Sequence, residues 1–516
     1  MKKNTIYKFI ITPTLVLLLT GCEITSKETI PDYEHNWGEE EPIKVDEEVV
    51  LSDSEDYKKF WNTSTSLSFQ IEMSQDAADF INSYQGNHDD STYHDYYVPC
   101  TFTLTMDGVT TTFEEVGIRQ KGNMSRRQHL IDNNFSLSSL VHYKFSFKET
   151  FDGDEYTSIS QLNPFKKTWE DSNERKARKN RTLFDMEKID IKWNRNNDET
   201  KAKQSYALRM FRDAGVMAGH STVANTSFKI TGKSAINTTY EVLECIDSVF
   251  IKRHFNAEHA DGDLYKCTYT NKGPANFNSS YEVGNQIGVE NNTTGYRPVY
   301  DLKTNKKKNT THTTLLNLFN VINSTASASD WKINAEQLID MNSFLKYEAV
   351  AYLCGNFDDM RNNANNYYLY ITSGNTKAYF IPYDFDRCFG MGCEGRKDYM
   401  TDFSPESTKM QCNGDYQSIN LFWRTVCTST SSHTNIKQVE EYRALYQKNI
   451  EDLLNNKTIS REAFTSYVNT FPTSLNMNAD GSGSDNISFS SYLTKKIKSI
   501  KDSNSKGLIS YDIKVE

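Results

Sequence analysis

The chain has 516 residues, 37% of them hydrophobic, with 24 Gly, 10 Pro and 58 Lys+Arg against 68 Asp+Glu, a formal net charge of -10. This profile excludes a collagen-like or wholly disordered chain, and the acid excess argues against nucleic acid as a partner, since phosphate binding needs surplus cations. At roughly 100 to 200 residues per domain the length accommodates two to four domains or one large two-lobed unit, ample for a sizeable core.

Lys2, Lys3 and Lys8 precede the apolar run Phe9 to Leu19, which is too short to span a bilayer, a task that takes about 20 residues. Together they read as a signal peptide over residues 1–21. Leu19-Thr20-Gly21-Cys22 resembles a bacterial lipobox, which makes Cys22 the expected lipidation site and places the protein outside the cytoplasmic membrane as an anchored lipoprotein, periplasmic or at the cell surface. From Glu23 to Val50 ten acidic residues stand against Lys27 and Lys44, the composition of a solvated tether, here assigned to 22–55. The remaining eight cysteines, Cys100, Cys245, Cys267, Cys354, Cys388, Cys393, Cys412 and Cys427, are an even number, and in an oxidising compartment some disulfides are expected. Without a Cys-x-x-Cys pair, a zinc site is unsupported.

The body, 56–430, opens with Val98 to Thr112, which alternates about Asp107-Gly108 and predicts a β-hairpin. Phe113 to Lys121 continues as a strand with Arg119 and Lys121 on one face and Ile118 on the other. The polar turn Gly122 to Arg127 follows, with Asn123 and Ser125, and His142 to Phe147 is a further strand carrying Lys144. Ala202 to Ala214 predicts a helix ended by Gly215. Thr239 to Phe255 starts as a strand and turns amphipathic, with Glu244 and Asp247 at the change, and Lys266 to Tyr300 reads as loop. Thr313 to Ile322 and Met341 to Cys354 have helical apolar spacing. Beyond about 430 the chain predicts a helical closing segment, 431–516, with helices over Val439 to Leu454 and Tyr492 to Lys501.

The chemistry concentrates between Cys354 and Gly390. A polar loop carries Asp358, Asp359, Arg361 and four asparagines, and two strands follow, Tyr367 to Ile371 and Ala378 to Tyr383. The second runs into Asp384-Phe385-Asp386, where alternation puts both carboxylates on one face. A loop acid, loop amides, a hairpin and then a paired acid follow the order of a kinase catalytic loop and its metal-binding segment. One carboxylate would accept the proton of an attacking hydroxyl, while hard oxygens from Asn and Asp would hold Mg²⁺ against nucleotide phosphates.

These blocks resemble the bacterial spore-coat-protein-H (CotH) kinases, which are atypical protein kinases. The resemblance rests on Gly117-Ile118-Arg119-Gln120-Lys121-Gly122-Asn123-Met124-Ser125-Arg126, on Tyr240 to Phe255, on Asn356-Phe357-Asp358-Asp359, on Asn366 to Tyr370 and on Ile381-Pro382-Tyr383-Asp384-Phe385-Asp386. It covers roughly Gly117 to Gly390. Lys121 stands where the family has a second Arg, Tyr383 where it has Trp, and Asn365 where His is common.

The resemblance implies an α+β, two-lobed atypical protein-kinase-like fold, with a mixed N-terminal sheet lobe at about 95–270 and a helical C-terminal lobe at about 310–430. It implies transfer of the ATP γ-phosphate to Ser or Thr hydroxyls of a protein substrate, with Mg²⁺ or Mn²⁺. Asp358 or Asp359 would be the catalytic base. Asn366 and Asp384 would hold the metal, with Asp386 as an alternate ligand. Arg119, Lys121, Asn123 and Ser125 would face the triphosphate, Lys144, Lys148 and Lys266 compete as the nucleotide-contacting lysine, and Glu244 would pair with that lysine. The alternative reading is a surface binding or adhesion module on the same fold.

Overall fold

The computed structural model describes residues 48–83, 96–122, 126, 141–153, 164–194, 197–291, 294–392, 399–401, 403–406, 420–426, 438–483, 486–504 and 510–515. Cys22, Asn123 and Ser125 lie outside the described residues, as do the signal peptide and most of the tether.

Strict alternation of buried and less buried residues shapes the first two strands, over Leu67–Met73 and Val98–Met106. Helix α1 (Glu55–Trp61), capped by the Ser54 hydroxyl, precedes strand β1 (Leu67–Met73), and α2 (Gln75–Ser83) precedes β2 (Val98–Met106). The hairpin partner β3 (Val109–Lys121) and then β4 (His142–Ser146), α3 (Ser172–Lys179) and β5 (Lys188–Trp193) follow. After α4 (Lys203–Asp213) come β6 (Ser221–Ile230) and β7 (Ile236–Glu244). The seven strands form a closed barrel in the order β1-β2-β3-β4-β5-β7-β6, sealed by parallel pairing of β1 with β6. Its interior is packed by Phe69, Phe102, Ile118, Phe145, Ile191 and Tyr240, all buried.

The sheet lobe expected at about 95–270 is therefore corrected at both ends. The barrel starts at Leu67, and β8 (Asp263–Cys267), which carries Lys266, belongs to a second sheet in the order β12 (Ala378–Pro382), β11 (Tyr367–Ile371), β8, β10 (Tyr300–Leu302), β9 (Ile287–Gly288). The physical reason is long-range pairing, since β1 finds a parallel partner in β6 about 150 residues onward (Ser68 opposite Asn225), which no local pattern encodes. The segment read as loop from Lys266 to Tyr300 supplies two short strands of that sheet, β9 (Ile287–Gly288) and the start of β10 (Tyr300–Leu302).

Helix α5 (Ser248–His254), capped by the Asp247 carboxylate, links barrel and second sheet. Around the second sheet pack α6 (Thr313–Ile322), α7 (Ala328–Leu338), α8 (Met341–Cys354), the single turn α9 (Met360–Asn363) and α10 (Asn420–Thr425). The helices α11 (Glu440–Asn455), α12 (Arg461–Val468) and α13 (Phe489–Asn504) complete the layer. The apolar core that joins them is continuous with α4, whose Phe211 meets Phe385 edge to face at 4.9 Å between ring centres. Gly355 ends α8 with φ of 60°, and a Cβ there would strike the Tyr492 hydroxyl, so a glycine releases the chain into the loop of Asp358. No helix among the described residues is long and apolar enough to cross a membrane.

Five cysteines, Cys100, Cys245, Cys267, Cys354 and Cys388, are free buried thiols, so the expected disulfides are not formed among them. Because Ile191 is wholly buried in the barrel between two outward-facing charged neighbours, Ile191→Ala should lower the unfolding free energy by about 2–5 kcal/mol. Urea unfolding followed by tryptophan fluorescence checks this.

Candidate active site

Strand β5 organises the site. Ile189 and Ile191 point into the barrel, so Asp190 and Lys192 emerge from its outer face towards the end of β12 (Ala378–Pro382). Register places Arg119 of β3 opposite Lys144 of β4, and Lys144 opposite Asp190. The buried Asp190 accepts a hydrogen bond from Lys121 at 2.8 Å and pairs with Lys144 at 3.2 Å. Burial opposes ionisation of Asp190, but Lys121 and Lys144 outweigh it and hold the carboxyl well below the usual range. Burial likewise opposes the charge of Lys144, and Asp190 reverses this, keeping it well above the ordinary lysine value.

Tyr383, the residue before the paired acids, receives a 2.8 Å hydrogen bond from Lys121. The Lys121 and Lys266 ammonium groups lie 5.3 and 5.6 Å from its ring centre. Burial pushes Lys266 down to about 8, with Lys303, Lys121 and Lys144 adding repulsion. Arg119 is set slightly apart, its guanidinium donating to the Gln120 carbonyl at 3.0 Å and lying 5.4 Å from the Tyr97 ring centre. Lys148 is paired with Glu187.

Past Tyr383, Asp384 adopts φ of 58°, a left-handed conformation uncommon outside glycine, and Phe385 is buried against Phe211 while Asp384 and Asp386 remain half-buried. Both carboxylates converge on Lys192, which bonds to Asp384 and, at 2.9 Å, to Asp386. A third bond from Lys192 goes to Gln204 Oε1 of α4 at 3.2 Å. Burial opposes the charge of Lys192, and Asp384 and Asp386 overturn this and raise its pKa well above the ordinary value. Asp384 is correspondingly held well below the carboxylate range by Lys192 and Lys121 against its burial.

The loop after α8 divides its two acids. Asp358 is half-buried and accepts from the side-chain amides of Asn363 (2.6 Å) and Asn365 (2.9 Å) through Oδ1, and of Asn366 (3.0 Å) through Oδ2. Burial, with the nearby charges of Asp384 and Asp386, raises its pKa. Asp359 instead caps α9, accepting from the Asn362 N–H at 2.8 Å, and is wholly buried with Oδ2 unpartnered. Asn366, with φ of 53°, precedes β11 (Tyr367–Ile371), and the Asn356 amide donates to the Asp384 carbonyl at 3.2 Å, tying loop to paired acids.

The structure thus brings together Asp358, Asn366, Asp384 and Asp386, with Lys121, Lys144 and Lys266 beside them. It turns two other expectations aside. Asp359 faces the core as a helix cap, because a buried carboxylate that satisfies a first-turn N–H cannot also meet a substrate in the cleft. Glu244 does not pair with a lysine; it accepts from the Tyr57 hydroxyl at 2.6 Å and the His220 N–H at 3.0 Å, because the end of β7 lies against α1 and the start of β6. Sequence reasoning missed Asp190, Lys192, Gln204 and Glu241. The signal for the first two was the alternation of Lys188-Ile189-Asp190-Ile191-Lys192-Trp193, which reads as a strand with two charges on one face.

Among the described residues no group of three or more His, Cys, Asp or Glu side chains is arranged to hold a metal ion. A magnesium ion delivered with a nucleotide needs only one or two carboxylates, the remaining positions being filled by phosphate and water. Asp384 and Asp386 fit that requirement, since they are hard oxygen donors already converging on one cation, Lys192. A family model described as CotH kinase protein matches residues 118–502, most of the chain. No curated protein matches it.

Burial pushes the Asp359 and Glu348 carboxyls up to about 8, and the Glu244 carboxyl up to about 7. Such groups keep their protons in the folded chain while the unfolded chain loses them near pH 4, so their stabilisation is complete below about pH 4 and is lost as pH rises through about 7 to 8. Asp190 and Asp384 are ionised in both states over that interval and add no slope. The melting temperature should therefore fall from pH 5 to pH 8.5, and Asp359→Asn should flatten the decline, as read by scanning calorimetry at both ends.

Proposed function

The chain belongs to the CotH kinase family, and we propose that it is a lipid-anchored, extracytoplasmic member that transfers the γ-phosphate of ATP to Ser or Thr hydroxyls of proteins. The barrel and the helical region around the second sheet act in this reading as the two lobes of a kinase. The observation that carries it is the meeting of a half-buried loop acid, Asp358, with the paired acids Asp384 and Asp386 and the lysine between them. Phosphoryl transfer asks the protein for little covalent chemistry and much positioning of charge, and this arrangement supplies opposite charges at short range in a partly dehydrated place.

The residues divide the work as follows. Asp358, held by three asparagine amides, orients the acceptor hydroxyl and takes its proton; its raised pKa makes it a better base than an exposed aspartate. Asp384 and Asp386, with the side-chain oxygen of Asn366, would hold Mg²⁺ or Mn²⁺, which would supply charge neutralisation on the phosphates. Lys192, not Lys148, is the lysine best placed to contact phosphate next to the metal. Lys121, Lys144 and Lys266 form the flanking cationic wall, and Asp190 fixes the first two of these. Asp359 supports the loop from beneath.

Asp358→Asn preserves shape and removes the proton acceptor, so phosphorylation of a test acceptor such as casein should fall by about 10²- to 10⁴-fold while Mg·ATP affinity stays near that of the parent. Asp384→Ala should abolish Mg²⁺-dependent nucleotide binding in calorimetry. A parent protein that binds Mg·ATP and phosphorylates no acceptor would favour the binding-module reading. The location rests on the ordered cationic, apolar and Leu-Thr-Gly-Cys segments of the first 22 residues. Cys22→Ala should move the protein from the membrane fraction, since the acyl chains on that residue are its anchor; retention of the variant there overturns the assignment.

A further inference from the structure

Register sets Lys192 of β5 directly opposite Glu241 of β7 on the outer face of the barrel. An opposed lysine and glutamate on neighbouring strands ordinarily pair with each other. Here they are separated by a third group. The Gln204 side chain, from the first turn of α4, inserts its amide between them: Lys192 Nζ donates to Gln204 Oε1 at 3.2 Å, and Gln204 Nε2 donates to Glu241 Oε2 at 2.9 Å. The other carboxylate oxygen of Glu241 accepts from the Ser221 hydroxyl at 2.7 Å.

We propose that Glu241, acting through Gln204, is a positioning residue that fixes the Lys192 ammonium between Asp384 and Asp386. The inference rests on the reading of Lys192 and the two acids as phosphate and metal contacts. An amide can turn either its oxygen or its NH₂ towards a neighbour, and only the oxygen suits a lysine. By claiming the NH₂, Glu241 dictates that the oxygen faces Lys192. The three protons of the ammonium then have three acceptors, one neutral and two charged. A direct Glu241 contact would draw the lysine back towards the barrel, whereas a neutral amide anchors it and leaves its charge directed at the paired acids. When a cation occupies Asp384 and Asp386, Gln204 is the partner that remains, so the lysine stays beside the phosphates. The space for this adjustment is present: a cavity of ≈ 290 Å³ is lined by Lys192, Gln204, Glu241 and Asp386.

The test uses the full chain and three variants, Glu241→Gln, Lys192→Met and the exchange Gln204→Glu with Glu241→Gln, which moves the carboxylate next to the lysine. Glu241→Gln replaces an acceptor-only carboxylate with an amide that can present either its oxygen or its NH₂ to Gln204, so the orientation of Gln204 is no longer dictated, and kcat should fall by about 10- to 100-fold with the KM for Mg·ATP changed by less than about threefold. In the Lys192→Met background the same Glu241→Gln change should alter kcat by less than about twofold, since the residue it positions is gone. The exchange variant, which sets a charged carboxylate against Lys192 in place of the neutral amide, should keep the loss. Independently of turnover, acetylation of Lys192 by a water-soluble N-hydroxysuccinimide ester, followed by peptide mass spectrometry, should be faster in Glu241→Gln than in the parent. An equal loss of kcat in both backgrounds would assign Glu241 a merely structural role and overturn the proposal, as would an unchanged acetylation rate. If the parent transfers no phosphate, the kinase reading fails and the acetylation rates alone decide this one. If Glu241→Gln does not fold, the exchange variant carries the test, and slower acetylation of Lys192 than in the parent is then the expected result.

Discussion

The architecture turns on one buried ammonium. Lys192 sits where the barrel's outer face meets the end of β12, and its bonds to Asp384 and Asp386 join the two halves of the molecule. A lysine taken out of water is costly unless its charge is met and its protons are all accepted. Two carboxylates and one amide meet that demand, and in doing so they bring the paired acids to the barrel surface. Removing either side would leave the other buried and uncompensated, which explains why the strand face, the tight left-handed turn at Asp384 and the first turn of α4 converge on one place.

A second charged group next to it has a different task. Asp190 neutralises Lys121 and Lys144, two residues away from Lys192 along the same strand. Lys266 approaches from the second sheet beside Tyr383, and its pKa is depressed first by burial and then by the repulsion of Lys303, Lys121 and Lys144. The cleft is therefore partitioned: carboxylates at the Asp358, Asp384 and Asp386 end, surplus positive charge at the Lys121, Lys144 and Lys266 end. In the proposed reading, a ligand carrying both phosphates and a divalent cation would satisfy the two ends together.

The loop after α8 shows how adjacent identical residues acquire opposite roles. Asp358 is half-buried and held by the side-chain amides of three asparagines, whereas Asp359 spends its carboxylate on the N-terminus of a one-turn helix. The glycine that ends α8 and the hydrogen bond from Asn356 to the Asp384 carbonyl fix where the chain turns. One residue of displacement would exchange the two environments.

Much of this was legible in the residues themselves. Helices α6 and α8 and strand β11 have the boundaries their apolar spacing predicts, because a period of 3.6 or 2 is a local property of the chain. The order of loop acid, asparagines, hairpin and Asp384-Phe385-Asp386 marked the chemistry, and alternation alone put the two acids on one side and Phe385 on the other. What periodicity does not encode is which distant element faces which. Barrel closure depends on β1 meeting β6, the choice between Asp358 and Asp359 depends on which one the core claims as a cap, and Glu244 lost its lysine to Tyr57 of a helix nearly 190 residues earlier. Lys192 was an unremarked lysine in an alternating strand until tertiary packing set two aspartates against it, since a charge becomes a site only when long-range folding removes its water and supplies its partners.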